Sequence, residues 1–92
     1  MAADRVLAHF KRVNQADAEA LLQALDRDDN ADIARLAHRI KGACGFIGAA
    51  GLASACARLE KAARAGDGQA VTGLAGDFRT ELERLNAYLD AR

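Results

Sequence analysis

Proline is absent from the 92 residues of this chain, and apolar residues recur every three or four positions along most of its length. Proline interrupts helices, and this spacing places apolar side chains on one face of a helix. Aromatic residues make up only 4% of the chain, so there is little material for β-strands, which favour aromatic and β-branched residues. The pattern predicts an all-α fold.

Length and composition indicate one globular domain over residues 1–92. The chain is 51% hydrophobic and 28% charged, which is typical of a folded protein rather than a disordered one. Lys and Arg together number 13, and so do Asp and Glu. Because the charges balance, we expect no general attraction to nucleic acid or to an anionic membrane.

The first part of the chain predicts a short helix followed by a longer one. From Asp4 onward, a short apolar stripe lies at helical spacing: Val6, Leu7, Phe10 and Val13. Residues 14–16 look like a break. The stripe of the second helix precedes a polar run at residues 26–30 and consists of Ala18, Leu21, Leu22 and Leu25.

Three further helices are predicted after residue 30. Asn30 is a good N-cap for the third helix, whose apolar residues repeat up to Gly48. A turn at residues 48–51 precedes the fourth helix, which Gly66 is suited to end, and Asp67 opens the last one. Because the connections between the four longer helices are short, we expect an antiparallel up-down four-helix bundle, with the short N-terminal helix capping one end.

The cysteines and the apolar pattern of the chain indicate the cellular compartment. Cys44 and Cys56 form neither a CxxC pair nor a zinc-ligand pattern, so we expect them to be reduced residues of the core. No apolar run approaches 18 residues, and Met1 is not followed by a basic stretch and an apolar core. We therefore expect no direct membrane contact, no secretory signal and a cytoplasmic location.

His38 is predicted to stand on a nearly bare helix face. Successive helix residues turn through roughly 100°, which puts His38 about 140° from Ile33 and away from the apolar stripe. Its helical neighbours are Ala34, Lys41, Gly42 and Gly45. An interior glycine costs a helix about 1 kcal/mol of stability relative to alanine. The glycines beside His38 therefore indicate a function other than helix stability, which we interpret as space for another protein to approach the ring. The alternative is an ordinary surface histidine with glycines that serve close packing between helices.

The chemistry available on this face is that of a nucleophilic imidazole. A neutral ring nitrogen can accept a phosphoryl group, and Lys41 would offer a positive charge to the phosphoryl oxygens. The sequence has no P-loop, no serine nucleophile motif and no second carboxylate cluster that could hold magnesium or a nucleotide. We therefore expect a non-enzyme without a cofactor of its own, whose partner supplies the catalytic apparatus.

The stretch AHRIKGACGFIGAAGLASACARLE resembles the histidine-containing phosphotransfer (Hpt) domain. That signature reads roughly as His, two residues, Lys-Gly, five residues, Gly, then Leu and a Leu-Glu pair. The residues in those places are His38, Lys41, Gly42, Gly48, Leu52, Leu59 and Glu60. The upstream segment FKRVNQADAEALLQALDRDDNADIARLAH is also similar to the family's lead-in, so the resemblance covers nearly the whole chain.

The resemblance implies a helical bundle in a two-component phosphorelay. His38 would accept a phosphoryl group from a receiver-domain aspartate and pass it to a response-regulator receiver, while Lys41 assists and Gly42 gives the partner room. Mg²⁺ is expected on the partner receiver domain. Arg39 stands where the family often has a small hydroxylated residue, which bears on partner preference. The partner surface is interpreted as Ala34, Arg35, Arg39, Gly42 and Gly45.

Several alternatives and side expectations remain. The resemblance implies either a free-standing monomer or the last domain of a hybrid sensor kinase, in the cytoplasmic part of a membrane-anchored protein. A non-phosphorylated helical adaptor could use the same face, whereas a haem or metal protein is disfavoured because no second inward histidine or carboxylate pair exists. Glu60, with Arg58 and Lys61, is expected at a solvated edge, although it belongs to the signature and could orient the helix pair. His9 and Tyr88 are expected at the surface.

Overall fold

The computed structural model of the protein describes residues 2–91, which form four α-helices and no strand. Their bounds are α1 Ala2–Asp26, α2 Asn30–Cys44, α3 Ala50–Arg64 and α4 Gly68–Asp90. The all-α prediction is confirmed. None of the helices in residues 2–91 is both long and apolar enough to cross a lipid bilayer.

The predicted break at residues 14–16 is wrong, because α1 runs through it without interruption. This helix contains no glycine or proline, and Asn14 lies on its buried stripe between Phe10 and Ala18. Burial of that continuous stripe keeps the polar residue helical. The described residues therefore form no separate short N-terminal helix. The predicted inner positions Val6 and Leu7 lie outside the side chains that the structure describes.

The start and the end of α2 both differ from the prediction. Asp29, not Asn30, is the N-cap, and its side chain accepts a hydrogen bond from the Asp32 backbone N–H at 3.2 Å. The helix ends at Cys44 rather than at Gly48. Gly48 has a φ of 69°, a left-handed value that glycine adopts easily and that reverses the chain toward α3.

The predicted boundary between α3 and α4 is confirmed. Gly66 follows α3 with a φ of 71°, as expected of a glycine that ends a helix. Asp67 caps α4, since its carboxylate accepts from the Ala70 backbone N–H at 3.1 Å.

The core lies between the four helices, with contacts between α1 and α2, α2 and α3, α3 and α4, and α1 and α4. Burial of one large aliphatic or aromatic side chain contributes about 1.5–3 kcal/mol. Six such side chains are essentially inaccessible: Leu21, Ile33, Ile40, Leu52, Leu59 and Phe78. Cys44 and Cys56 are free and buried, as predicted. This packing forms a helical bundle that leaves one face of α2 open.

Candidate functional site

His38 lies midway along α2, and its side chain is 63% exposed. The predicted exposure of the ring is confirmed. The inner face of the same helix carries Ile33, Leu36 and Ile40, which are buried in the core. The helix is thus fixed by its apolar stripe, and that stripe turns the imidazole outward.

A buried carboxylate lies directly beneath the ring. His38 Nδ1 is 3.2 Å from Oε2 and 3.3 Å from Oε1 of Glu60, which reaches across from α3. Glu60 is only 8% exposed, so the expectation that it lies at a solvated edge is wrong. Its neighbours Arg58 and Lys61 are exposed, as predicted. The packing of α3 against α2 turns Glu60 inward, toward the helix that carries His38.

Two cations hold the Glu60 carboxylate in place. Lys41 Nζ donates to Oε1 at 3.0 Å, and Arg64 donates to Oε2 from Nε at 3.0 Å and from Nη2 at 2.8 Å. The hydrogen bond from Lys41, followed by those from Arg64 and His38, lowers the pKa of Glu60 to about 2, although burial acts in the opposite direction. Glu60 is therefore ionised at neutral pH. We call these four residues the Glu60 cluster.

The ionised carboxylate decides which nitrogen of His38 carries the proton. A carboxylate only accepts hydrogen bonds, so the hydrogen-bond network assigns the proton of the neutral ring to Nδ1. The lone pair then belongs to Nε2 of the exposed ring. A fixed ring with a free nitrogen lone pair is what nucleophilic attack on an incoming phosphorus atom requires.

The glycines beside His38 are not needed for packing within the chain. A Cβ atom at Gly42 would meet no described atom within 4 Å, and one at Gly45 would meet only the Gly42 carbonyl oxygen, at an ordinary 3.4 Å. Both residues are exposed. These observations weaken the alternative that the glycines permit close helix packing, and they leave open space beside the ring.

The other residues of the predicted partner surface divide into two groups. Arg35 and Arg39 are exposed and form ion pairs with Asp32 at 3.1 Å and Asp17 at 3.3 Å. Ala34 is only 4% exposed and belongs to the core. Its assignment to the partner surface is wrong, because its position at the edge of the outer face is the side on which α3 packs.

The family model of the Hpt domain matches residues 5–88. The chain belongs to the Hpt family. Hpt domains are phosphotransfer modules of two-component phosphorelays, and they interact with the receiver domains of response regulators or hybrid kinases. No curated protein and no solved structure matches this Hpt domain significantly.

The sequence analysis of this Hpt domain did not predict that Arg64 belongs to the site or that Glu60 lies at its centre. Glu60 and Arg64 are four residues apart on α3, a spacing that predicts an ion pair on a helix surface. That signal was available. No local pattern indicates that the pair meets His38, which is 22 residues earlier in the chain.

Metal binding by the domain itself has no support in residues 2–91. Those residues contain no group of three or more His, Cys, Asp or Glu side chains placed to hold an ion. The charged groups nearest His38 are instead arranged as ion pairs around one carboxylate. The arrangement suits holding and orienting an imidazole.

Proposed function

We propose that this Hpt domain accepts a phosphoryl group on Nε2 of His38 from a receiver-domain aspartate and passes it to the aspartate of a response-regulator receiver. One observation carries the proposal: an exposed imidazole whose Nδ1 is held by a buried, ionised carboxylate. That arrangement supports a nucleophilic Nε2 in a fixed orientation.

In the transfer step, the Nε2 lone pair attacks phosphorus in line with the bond to the aspartyl oxygen. The N–P bond forms, the P–O bond breaks, and its electron pair leaves with the aspartate as a carboxylate. Nδ1 keeps its proton, so the phosphorylated ring carries a positive charge opposite Glu60, which stabilises it. Transfer to the second receiver is the reverse of this step.

Lys41 and Gly42 have supporting roles in this proposal. Lys41 is 37% exposed and lies beside Glu60, so its ammonium group offers charge to the phosphoryl oxygens as they approach. Gly42 leaves space for the partner. The Mg²⁺ that neutralises the phosphoryl charge is expected on the partner receiver domain. The Hpt domain is thus a phosphohistidine carrier without a nucleotide or metal site of its own.

The finer arrangement of the bundle belongs to the same proposal. We propose an up-down antiparallel order, supported by pairs of contacts whose numbers run in opposite directions. Arg58 on α3 pairs with Asp77 on α4, whereas Gly51, earlier on α3, lies against Glu81, later on α4. We further propose that the domain works as a monomer in the cytoplasm, free-standing or as the last domain of a hybrid sensor kinase.

Incubation with radiolabelled, phosphorylated receiver domains tests the function. We expect label on the wild-type chain and none on His38→Gln, whose circular dichroism spectrum should be unchanged because the side chain is exposed. Phosphoramidate, a small phosphodonor, provides a second source of label that needs no docking. Label on His38→Gln would contradict the assignment. Binding of receivers without label from either donor would favour the adaptor instead.

A further inference from the structure

The surface beyond the C-terminal end of α2 changes from charged to apolar. A groove of about 290 Å³ opens there between α1 and the turn that follows α2. We call it the Phe46 groove, and its lining residues are His9, Phe10, Val13, Ala43, Phe46 and Ile47. Phe46 is 88% exposed and Val13 is 37% exposed. Large apolar side chains exposed together beside a concave surface are typical of interaction sites.

The Phe46 groove is continuous with the face that carries His38. α2 ends at Cys44, six residues after His38, which at 1.5 Å per helical residue is about 9 Å along the helix axis, and Phe46 lies in the turn just beyond that end. Between them on the outer face lie Gly42 and Gly45, both exposed and without side chains. No bulky side chain at these two positions therefore separates the ring from the groove, and the exposed Arg39 beside them pairs with Asp17 on α1.

A protein interface of ordinary size is large enough for one partner to cover both the His38 ring and the Phe46 groove. A stable interface covers about 800 Å² on each protein, which corresponds to a disc of about 16 Å radius. A receiver domain centred on the His38 ring would reach beyond Phe46. The occupant of the groove is then the domain that exchanges the phosphoryl group.

The charges around His38 leave much of the affinity to apolar contacts. Arg35 pairs with Asp32, and Arg39 pairs with Asp17. Because these cations already have partners within the chain, a receiver gains less from pairing with them than from burying apolar surface. A second contact away from the ring also fixes the rotation of the partner about the transferring phosphorus, which in-line attack requires.

We propose that the Phe46 groove seats an apolar side chain of the receiver domain, with Phe46 as the docking anchor of the complex. The inference rests on the proposed phosphotransfer function and specifies the partner surface beyond His38. It assigns the anchor to a residue of the α2–α3 turn, outside the helix that carries the phosphorylated residue.

Substitution of Phe46 tests the assignment. With a phosphorylated receiver as donor, Phe46→Ala should lower kcat/KM for labelling of His38 about 30-fold, the scale of a buried aromatic anchor, mainly through KM. Phe46→Leu should keep most of the wild-type kcat/KM, because leucine is also a large apolar side chain. Labelling by phosphoramidate should be unchanged in both variants, because a small donor does not use the groove. The thermal midpoint should also be unchanged, since Phe46 is almost fully exposed.

Tyr88→Ala is the matched control, because Tyr88 is an exposed aromatic residue that does not line the Phe46 groove. Its kcat/KM should equal that of the wild type. An unchanged kcat/KM in Phe46→Ala, or an equal loss in Tyr88→Ala, would overturn the docking assignment while the phosphotransfer function stands. A loss with phosphoramidate as well would also overturn it, since Phe46 would then act on the ring itself. Failure of the wild type with both donors would overturn the proposed function.

Discussion

Two buried polar side chains of this domain have very different surroundings. Glu60 on α3 is 8% exposed and accepts hydrogen bonds from Lys41, Arg64 and His38. Asn14 on α1 is 2% exposed, and neither its Oδ1 nor its Nδ2 has a hydrogen-bond partner within residues 2–91. The first is the centre of a network that reaches the surface, whereas the second is buried without a hydrogen bond from its side chain to any described residue.

The difference separates a functional polar group from a tolerated one. An unpaired buried amide costs about 1–3 kcal/mol, which a core of this size can absorb. An unpaired buried carboxylate costs far more, so Glu60 is stable inside only with its cations. Burial of a polar residue therefore does not mark a site by itself. The connection from Glu60 to an exposed, nucleophilic ring does.

Filling the open space beside His38 should reduce the rate of phosphoryl transfer more than any other change. Gly42→Glu fills the open space beside His38 and adds a negative charge where the phosphoryl group must pass, so transfer from a receiver should slow by about 100-fold or more. The free energy of unfolding should stay equal or rise by about 0.5–1 kcal/mol, because glutamate has the higher helix propensity. Rapid-quench labelling and urea unfolding measure the two quantities.

The matched control is Gly73→Glu on α4, where a Cβ atom would also meet no described atom within 4 Å. It should gain similar stability and keep the wild-type transfer rate. Equal transfer rates in Gly42→Glu and the wild type would show that the partner does not use the space beside the ring.

Removal of the charge beneath the ring should have the next largest effect. In Glu60→Gln the ring loses the anion that holds Nδ1–H and stabilises the phosphorylated ring, so transfer should slow by about 10-fold or more with either donor. The free energy of unfolding should fall by about 1–3 kcal/mol, since Lys41 and Arg64 lose a charged acceptor. Phosphoramidate labelling followed by ³¹P NMR measures the chemical step. A normal rate would mean that Glu60 has only a structural role.

Acid should remove the contribution of Glu60 to stability. Its pKa is about 2 in the folded chain, against an ordinary value of 4.5. A carboxyl group with a lowered pKa contributes stability that is fully present above pH 4.5 and is lost as the pH falls toward 2. The difference in unfolding free energy between the wild type and Glu60→Gln should therefore be constant from pH 7 to 5 and shrink below 4.5. Urea titrations across that range test it, and a difference at pH 2.5 as large as the difference at pH 7 would contradict the ion-pair account.

The smallest effect is expected on substitution of Asn14, where only the free energy of unfolding should change. Asn14→Leu replaces an unpaired buried amide by an apolar side chain of the same branching, so the free energy of unfolding should rise by about 1–2 kcal/mol. The transfer rate should not change. Thermal unfolding and receiver labelling measure both, and a loss of stability would show that the amide is satisfied in solution.

Three residues show where prediction from the sequence succeeded and where it failed: His38, Asn14 and Ala34. The outward direction of His38 follows from 100° per residue along one helix, so it was predictable. Residues 14–16 were interpreted as a break, whereas the buried stripe from Phe10 to Ala18 continues the helix through Asn14. Ala34 was placed on the open face because one helix alone does not show how far its neighbour covers it.

By itself, the sequence determined the helical class of the fold, the apolar stripes, the glycine and aspartate at the boundary between α3 and α4, and the exposed face with His38. These depend on interactions within a few residues, which spacing records directly. Only the tertiary structure decided that Glu60 and Arg64 lie beneath the ring and that Phe46 borders a groove with α1. Those contacts join residues far apart in the chain, and the relative placement of packed helices depends on how whole side-chain surfaces fit together.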